Sequence, residues 1–132
     1  MQSSPESDLR QMIADYMENG FLDNIIDMFK HDSSLYDLIG MLIQDERVRV
    51  RIGVTALIEE LKRLDPEHIV RAQKNLLPLL FHIDAVVRGD AANLTGIIGD
   101  RASLPSLKKC LLDNHEGVRM IAQEAIAQIQ PQ

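Results

Sequence analysis

The chain has 132 residues, 45% of them hydrophobic, a formal net charge of −6 and only five aromatic side chains, none of them tryptophan. That length suits one domain with a sizeable core, and the scarcity of aromatics makes the core aliphatic, which favours packed helices over a sheet sandwich. Residues 1–46 hold ten acids against Arg10 and Lys30, while residues 47–132 hold twelve bases against ten acids, so a broad phosphate-binding surface is disfavoured.

Ser4-Pro5 reads as a helix cap followed by proline at the first helical position, with Glu6 three residues after Ser3 as a capping box. This helix should run to about Glu18, where Asn19-Gly20 supplies the left-handed stop. Leu22, Ile25, Ile26 and Phe29 mark a second short amphipathic helix, closed by His31-Asp32-Ser33-Ser34. Residues 1–33 thus read as a degenerate helix pair shielding one end of the fold.

Helices are then expected at about 34–44 and 46–64, with Asp45 as a cap between them. Asp65-Pro66 starts the next helix, which Pro78 should bend because it lacks a backbone donor and crowds the preceding turn. A helix over 84–98 ends at Gly99-Asp100. The last pair covers about 103–112 and 115–130, with Pro131 beyond it.

These elements repeat. A valine-arginine pair opens three apolar helical stripes: Val48-Arg49 before Ile52, Ala56 and Leu57; Val87-Arg88 before Ala91, Leu94 and Ile98; Val118-Arg119 before Ala122, Ala125, Ile126 and Ile129. Thirteen residues before each valine, at Leu35, Lys74 and Pro105, a leucine-rich partner helix begins. The valine interval is 39 residues and then 31, which points to two added turns on helix 46–64. A helix pair cannot bury its apolar face alone, so stacked pairs must share one core. The predicted fold is all-α, a short α-solenoid of about four antiparallel pairs forming one domain over 1–132, with repeat units at 34–65, 66–100 and 103–130.

The Asp-x-x-Val-Arg motif at 45–49 and 84–88, followed by small residues and a closing Ile98-Gly99-Asp100, resembles HEAT-like repeats of the phycobilisome-lyase type. The fit covers roughly 34–129, departing where His115 replaces the motif aspartate and where helix 46–64 is overlong. The resemblance implies a superhelix whose second helices line a concave face, and a binding or scaffolding role without catalytic residues in the repeat. It also implies a ladder of inter-repeat bonds through Asp45, Arg49, Asp84, Arg88 and Arg119.

Chemistry is sparse. His31, His68, His82 and His115 have no partner at ligand spacing, and neither Cys-x-x-Cys nor His-Glu-x-x-His occurs, so no metal or cofactor is expected. Cys110 is the sole cysteine; it falls on a core-facing stretch with no base to activate it and excludes an internal disulfide. Gly89, Gly96 and Gly99 lack the strand and loop of a nucleotide fold. The start of the sequence lacks the features of a secretory signal and no run approaches the roughly 20 residues that cross a bilayer, so a cytoplasmic setting without a membrane partner is expected.

The concave face should be drawn from positions two, six and ten after each motif valine. These are Val50, Val54 and Ile58, then Gly89, Asn93 and Ile97, then Met120, Glu124 and Gln128. Five of the nine are large and apolar, which reads either as a groove for a partner's segment, rimmed by Arg51 and Asp90, or as a helix covered on both sides by neighbours or a second copy. The expected function is a non-enzymatic protein-interaction module, with a homodimer as one form of partner. The alternatives are an accessory subunit for lyase-like chromophore or cofactor attachment, or nucleic-acid binding.

Overall fold

The computed structural model describes residues 4–130. No strand occurs among them. Helix α1 (Pro5–Glu18) opens on Ser4, whose hydroxyl accepts from the Ser7 amide at 3.0 Å. That bond satisfies one of the orphan donors of the first turn. The expected capping box through Ser3 lies outside the described residues. Helix α2 (Leu22–His31) buries Ile25 and Phe29, and Phe29 meets Tyr36 edge to face with centroids 5.2 Å apart.

Each of the three later units pairs an irregular first segment with a regular second helix. The second helices are α4 (Val48–Leu64), α6 (Ala85–Ile98) and α8 (Glu116–Ile129). The first segments mix 3-10 turns with short α pieces: α3 (Ile39–Leu42) follows a 3-10 turn at Ser33–Leu38. Next, α5 (Gln73–Leu76) lies between 3-10 turns at Ile69–Ala72 and Leu77–Phe81. Finally, α7 (Leu104–Lys109) lies between 3-10 turns at Arg101–Ser103 and Cys110–Leu112.

Sequence periodicity marks these segments as helical without showing how tightly they are wound. Asp32 and Asp100 tighten their starts, each carboxylate accepting from the amide two residues on, at 3.0 and 3.1 Å. At Pro78 the α-helix gives way to a 3-10 turn, because the ring removes the donor that the next α-helical bond needs.

Two expectations change here. Asp65 does not start a helix; it closes α4, and its carboxylate takes the Tyr36 hydroxyl at 2.8 Å and His68 Nδ1 at 2.7 Å. Helix α4 has 17 residues against 14 in α6 and in α8, an excess of under one turn rather than two. The rest of the longer interval is spread over the connection and the following segment.

The second helices form one layer, in which α4 packs on α6 and α6 packs far more closely on α8, while the first segments form the other. Helices α1 and α2 both cover the free side of α4. Covered on both sides, α4 buries Val50, Val54, Leu57, Ile58 and Leu61 completely. Val50, Val54 and Ile58 are therefore core and not a solvent-facing groove. In their place Ile52 points outward, 64% exposed.

Helices α6 and α8 approach closely at Gly96, where a Cβ would lie 2.7 Å from Ala125 Cβ and 2.8 Å from its Cα. Hydrogen at this position lets α6 and α8 approach. Gly99 ends α6 with φ +77, a left-handed conformation that a side chain disfavours.

Candidate functional site

The loops entering the second helices reveal the register of the repeat. Arg47, Asp84 and His115 are the last residues before α4, α6 and α8. Three positions on stand Val50, Val87 and Val118, all buried. Four positions on stand Arg51, Arg88 and Arg119, and each sends Nη1 back to a backbone carbonyl six residues earlier: Asp45 at 3.2 Å, His82 at 2.8 Å and Asp113 at 2.7 Å. Those same three residues cap the loop, accepting the amides of Arg47, Asp84 and His115 at 2.9, 3.0 and 2.9 Å.

The first motif is thus Val50-Arg51, two residues later than Val48-Arg49. The segment Val48-Arg49-Val50-Arg51 contains two overlapping pairs, and Asp45 selects the wrong one because it matches Asp113 in position, not Asp84. The signal available in the sequence was the stripe Val50, Val54, Leu57, Ile58 and Leu61, whose spacing matches a buried helix face better than Val48 and Ile52 do. Val48 is 56% exposed.

The inter-repeat bonds follow the corrected register. Arg88 of one unit holds Asp113 of the next, Nε to Oδ2 at 2.8 Å and Nη2 to Oδ1 at 3.0 Å. The Arg88 guanidinium keeps the Asp113 carboxyl below the usual carboxylate range. At the other end Asp45 binds Arg47 Nε at 2.9 Å and lies 3.7 Å from Arg10 of α1, and hydrogen bonding to Arg47 lowers its pKa too. Between them the step from α4 to α6 has His82 where a carboxylate would stand, and Arg51 Nε lies 3.6 Å from Asp90 Oδ2 instead.

Two residues of the expected ladder are elsewhere. Arg49 is exposed on α4 beside a cleft of about 540 Å³ that also contacts Glu18, Leu22 and Ile52. It has no ion pair among those the described residues form. Asp84 is spent locally, accepting from the Val86 amide at 2.9 Å. Arg119 binds only its own loop carbonyl, there being no further unit among the described residues to receive it.

In the corrected register the row on the second helices is Ile52, Ala56 and Glu60, then Gly89, itself buried, with Asn93 and Ile97, then Met120, Glu124 and Gln128. Asn93, Glu124 and Gln128 are exposed, Ala56 and Ile97 half-buried, and Met120 is 54% exposed. Val86, 51% exposed, lies beside this row. Between α6 and α8 a cleft of about 240 Å³ is lined by Val86, Gly89, Asp90, Val118 and Ile121. Burial pushes the Asp90 carboxyl above its ordinary range, against the pull of Arg51.

The titratable groups elsewhere have structural duties. His31 bonds the Asp27 carbonyl, His68 bonds Asp65, and His82 and His115 cap loops through Nδ1. Among the described residues no three His, Cys, Asp or Glu side chains gather into a metal site. Cys110 is buried, its thiol 3.5 Å from the Ser106 carbonyl and pushed up in pKa by burial. No helix among the described residues is long and apolar enough to cross a membrane.

Helix pairs stacked in two layers, tied by arginines at the mouths of the second helices, define a helical-repeat protein. A family model described as HEAT repeats matches residues 37–127, and the chain belongs to that family. HEAT repeats commonly serve as protein-interaction scaffolds and are typically non-catalytic. No curated protein matches the chain.

Proposed function

We propose that the chain is a non-enzymatic protein-interaction module that holds a partner segment across the outer face of α4, α6 and α8. The observation carrying this reading is the exposure of Ile52, Val86 and Met120 on that face, where apolar side chains gain from being covered. Asn93, Ile97 and Glu124 continue the face, while Arg51 and Asp90 set a polar contact within it. Helix-in-groove recognition uses this combination of apolar anchors and a polar rim.

The test is affinity capture with wild type and an Ile52→Ser/Met120→Ser variant. Both side chains are exposed, so the variant should match wild type in helicity and thermal midpoint while losing its partner. Retention of the same partner by the folded variant refutes the face. If ultracentrifugation instead shows a wild-type dimer that the variant breaks, the partner is a second copy.

A further inference from the structure

The cleft between α6 and α8 sets a half-buried carboxylate beside apolar side chains. Its walls include Val86, Val118 and Ile121, with the Asp90 carboxylate among them. Its volume of about 240 Å³ admits a single long side chain. Asp90 Oδ2 is shut off from water and accepts no hydrogen bond. The Arg51 Nε is an ion-pair neighbour at 3.6 Å, beyond hydrogen-bond reach. The Asp90 side chain is nevertheless 36% exposed, so its other edge opens on the cleft.

The surrounding charges share its sign. Asp84, Glu116 and Glu124 are exposed on the same two helices and their entry loops. The bases there, Arg88 and Arg119, are turned to the loop and bonded around Asp113. His115, also on the cleft, has its Nδ1 committed to the Gly117 amide at 3.1 Å. Among the described residues Arg51 is the base that pairs with Asp90, and it lies on the α4 side, away from α8.

Resting on the docking role proposed above, we infer that this cleft takes a lysine or arginine side chain of a basic amphipathic protein segment. The methylenes lie against Val86 and Ile121 and the cationic head meets Asp90. Lysine and arginine combine an apolar stem with a charged tip, which is the order of groups the cleft presents. The head bonds the open edge of the Asp90 carboxylate, opposite the Oδ2 that faces Arg51, and charge-assisted bonds are the stronger kind. Asp84, Glu116 and Glu124 steer such a segment inward and repel anionic membranes and nucleic acids.

The experiment uses fluorescent synthetic helical peptides that share one leucine face and carry lysine, glutamine or glutamate at every polar position. Binding to the full chain is read by anisotropy and located by amide shifts of Gly89 and Gly117. The lysine peptide should bind in a salt-sensitive manner and move both amides, with the glutamine peptide about tenfold weaker and the glutamate peptide weaker still. The isosteric Asp90→Asn variant should weaken the lysine peptide about tenfold and leave the glutamine peptide unchanged. Glu116→Gln/Glu124→Gln, on exposed positions that do not endanger folding, should slow association of the lysine peptide alone.

Equal binding of the lysine and glutamine peptides, lost for both on Val86→Ser, overturns the charge inference and leaves the docking face standing. No binding by any peptide, or shifts confined to other surfaces, overturns both.

Discussion

Arg88 and Asp113 face each other across neighbouring repeats as a two-pronged pair, and both side chains are largely withdrawn from water, 13% and 9% exposed. A planar guanidinium matches a carboxylate in this geometry as lysine cannot. Arg88→Lys should therefore lower the thermal midpoint well beyond the exposed control Arg63→Ala. Equal midpoints for Arg88→Lys and wild type, by calorimetry, would show that the pair adds no specific strength.

The same pair fixes the sign of an acid response. Asp113, Asp45 and Asp37 all have folded pKa values below the ordinary carboxylate range, each chiefly through a hydrogen bond from an arginine. Their contribution is present above the unfolded carboxylate pKa and is lost as pH falls through the depressed folded values. Stability should decline on acidification, and Asp113→Asn should flatten that decline. An unchanged slope in chemical denaturation at a series of acidic pH values would contradict it.

His82 stands in the position that Asp45 and Asp113 fill in the other two units. His82→Asp retains a cap for the Asp84 amide and offers Arg51 the carboxylate that Asp113 offers Arg88. A gain of about 1 kcal/mol is expected, as for a charge-assisted bond after desolvation. A double-mutant cycle with Arg51→Ala is the check. The same gain in the Arg51→Ala background would show that no inter-repeat bond forms.

Buried Ile58 and exposed Ile52 occupy one helix and should behave oppositely. Ile58→Ala removes fully buried volume and should cost about 2–5 kcal/mol, whereas Ile52→Ala should stay within about 0.5 kcal/mol. Urea midpoints separate the two, and similar costs at both sites would mean that α4 is oriented differently.

At Gly96 a methyl group gains helix propensity, about 1 kcal/mol, but meets the backbone of α8. Overpacking against backbone costs about 1–3 kcal/mol, so Gly96→Ala should be destabilising on balance. A stabilised variant would show that α6 and α8 separate without penalty.

The repeat, the helical class and the second-helix boundaries were legible in the sequence because apolar spacing and capping residues are local signals. Gly99 and Pro78 acted where their backbone chemistry required. The register of the first unit is not legible from its motif, since two valine-arginine pairs overlap; the stripe through Val54, Leu57, Ile58 and Leu61, not the pair, marks Val50 as the buried valine. For the same reason the motif places the outward face at Val50, Val54 and Ile58, whereas it passes through Ile52. The irregular winding of the first segments and the partnership of Asp65 with Tyr36 depend on contacts distant in sequence, which periodicity does not record.

The steps between units are unequal. Between α6 and α8, the small residues at Gly96 and Ala125 bring the helices together and Arg88 clamps the loops. Between α4 and α6 the packing is sparser, His82 offers no clamp, and the cross-links are the Arg51–Asp90 ion pair and a hydrogen bond from Lys62 Nζ to the Ile98 carbonyl at 2.6 Å. The unit pair of α6 and α8 is therefore expected to move as one body, with the α4–α6 step as the softer joint. Bending is expected to concentrate at that joint, where Asp90 belongs both to the hinge and to the neighbouring cleft.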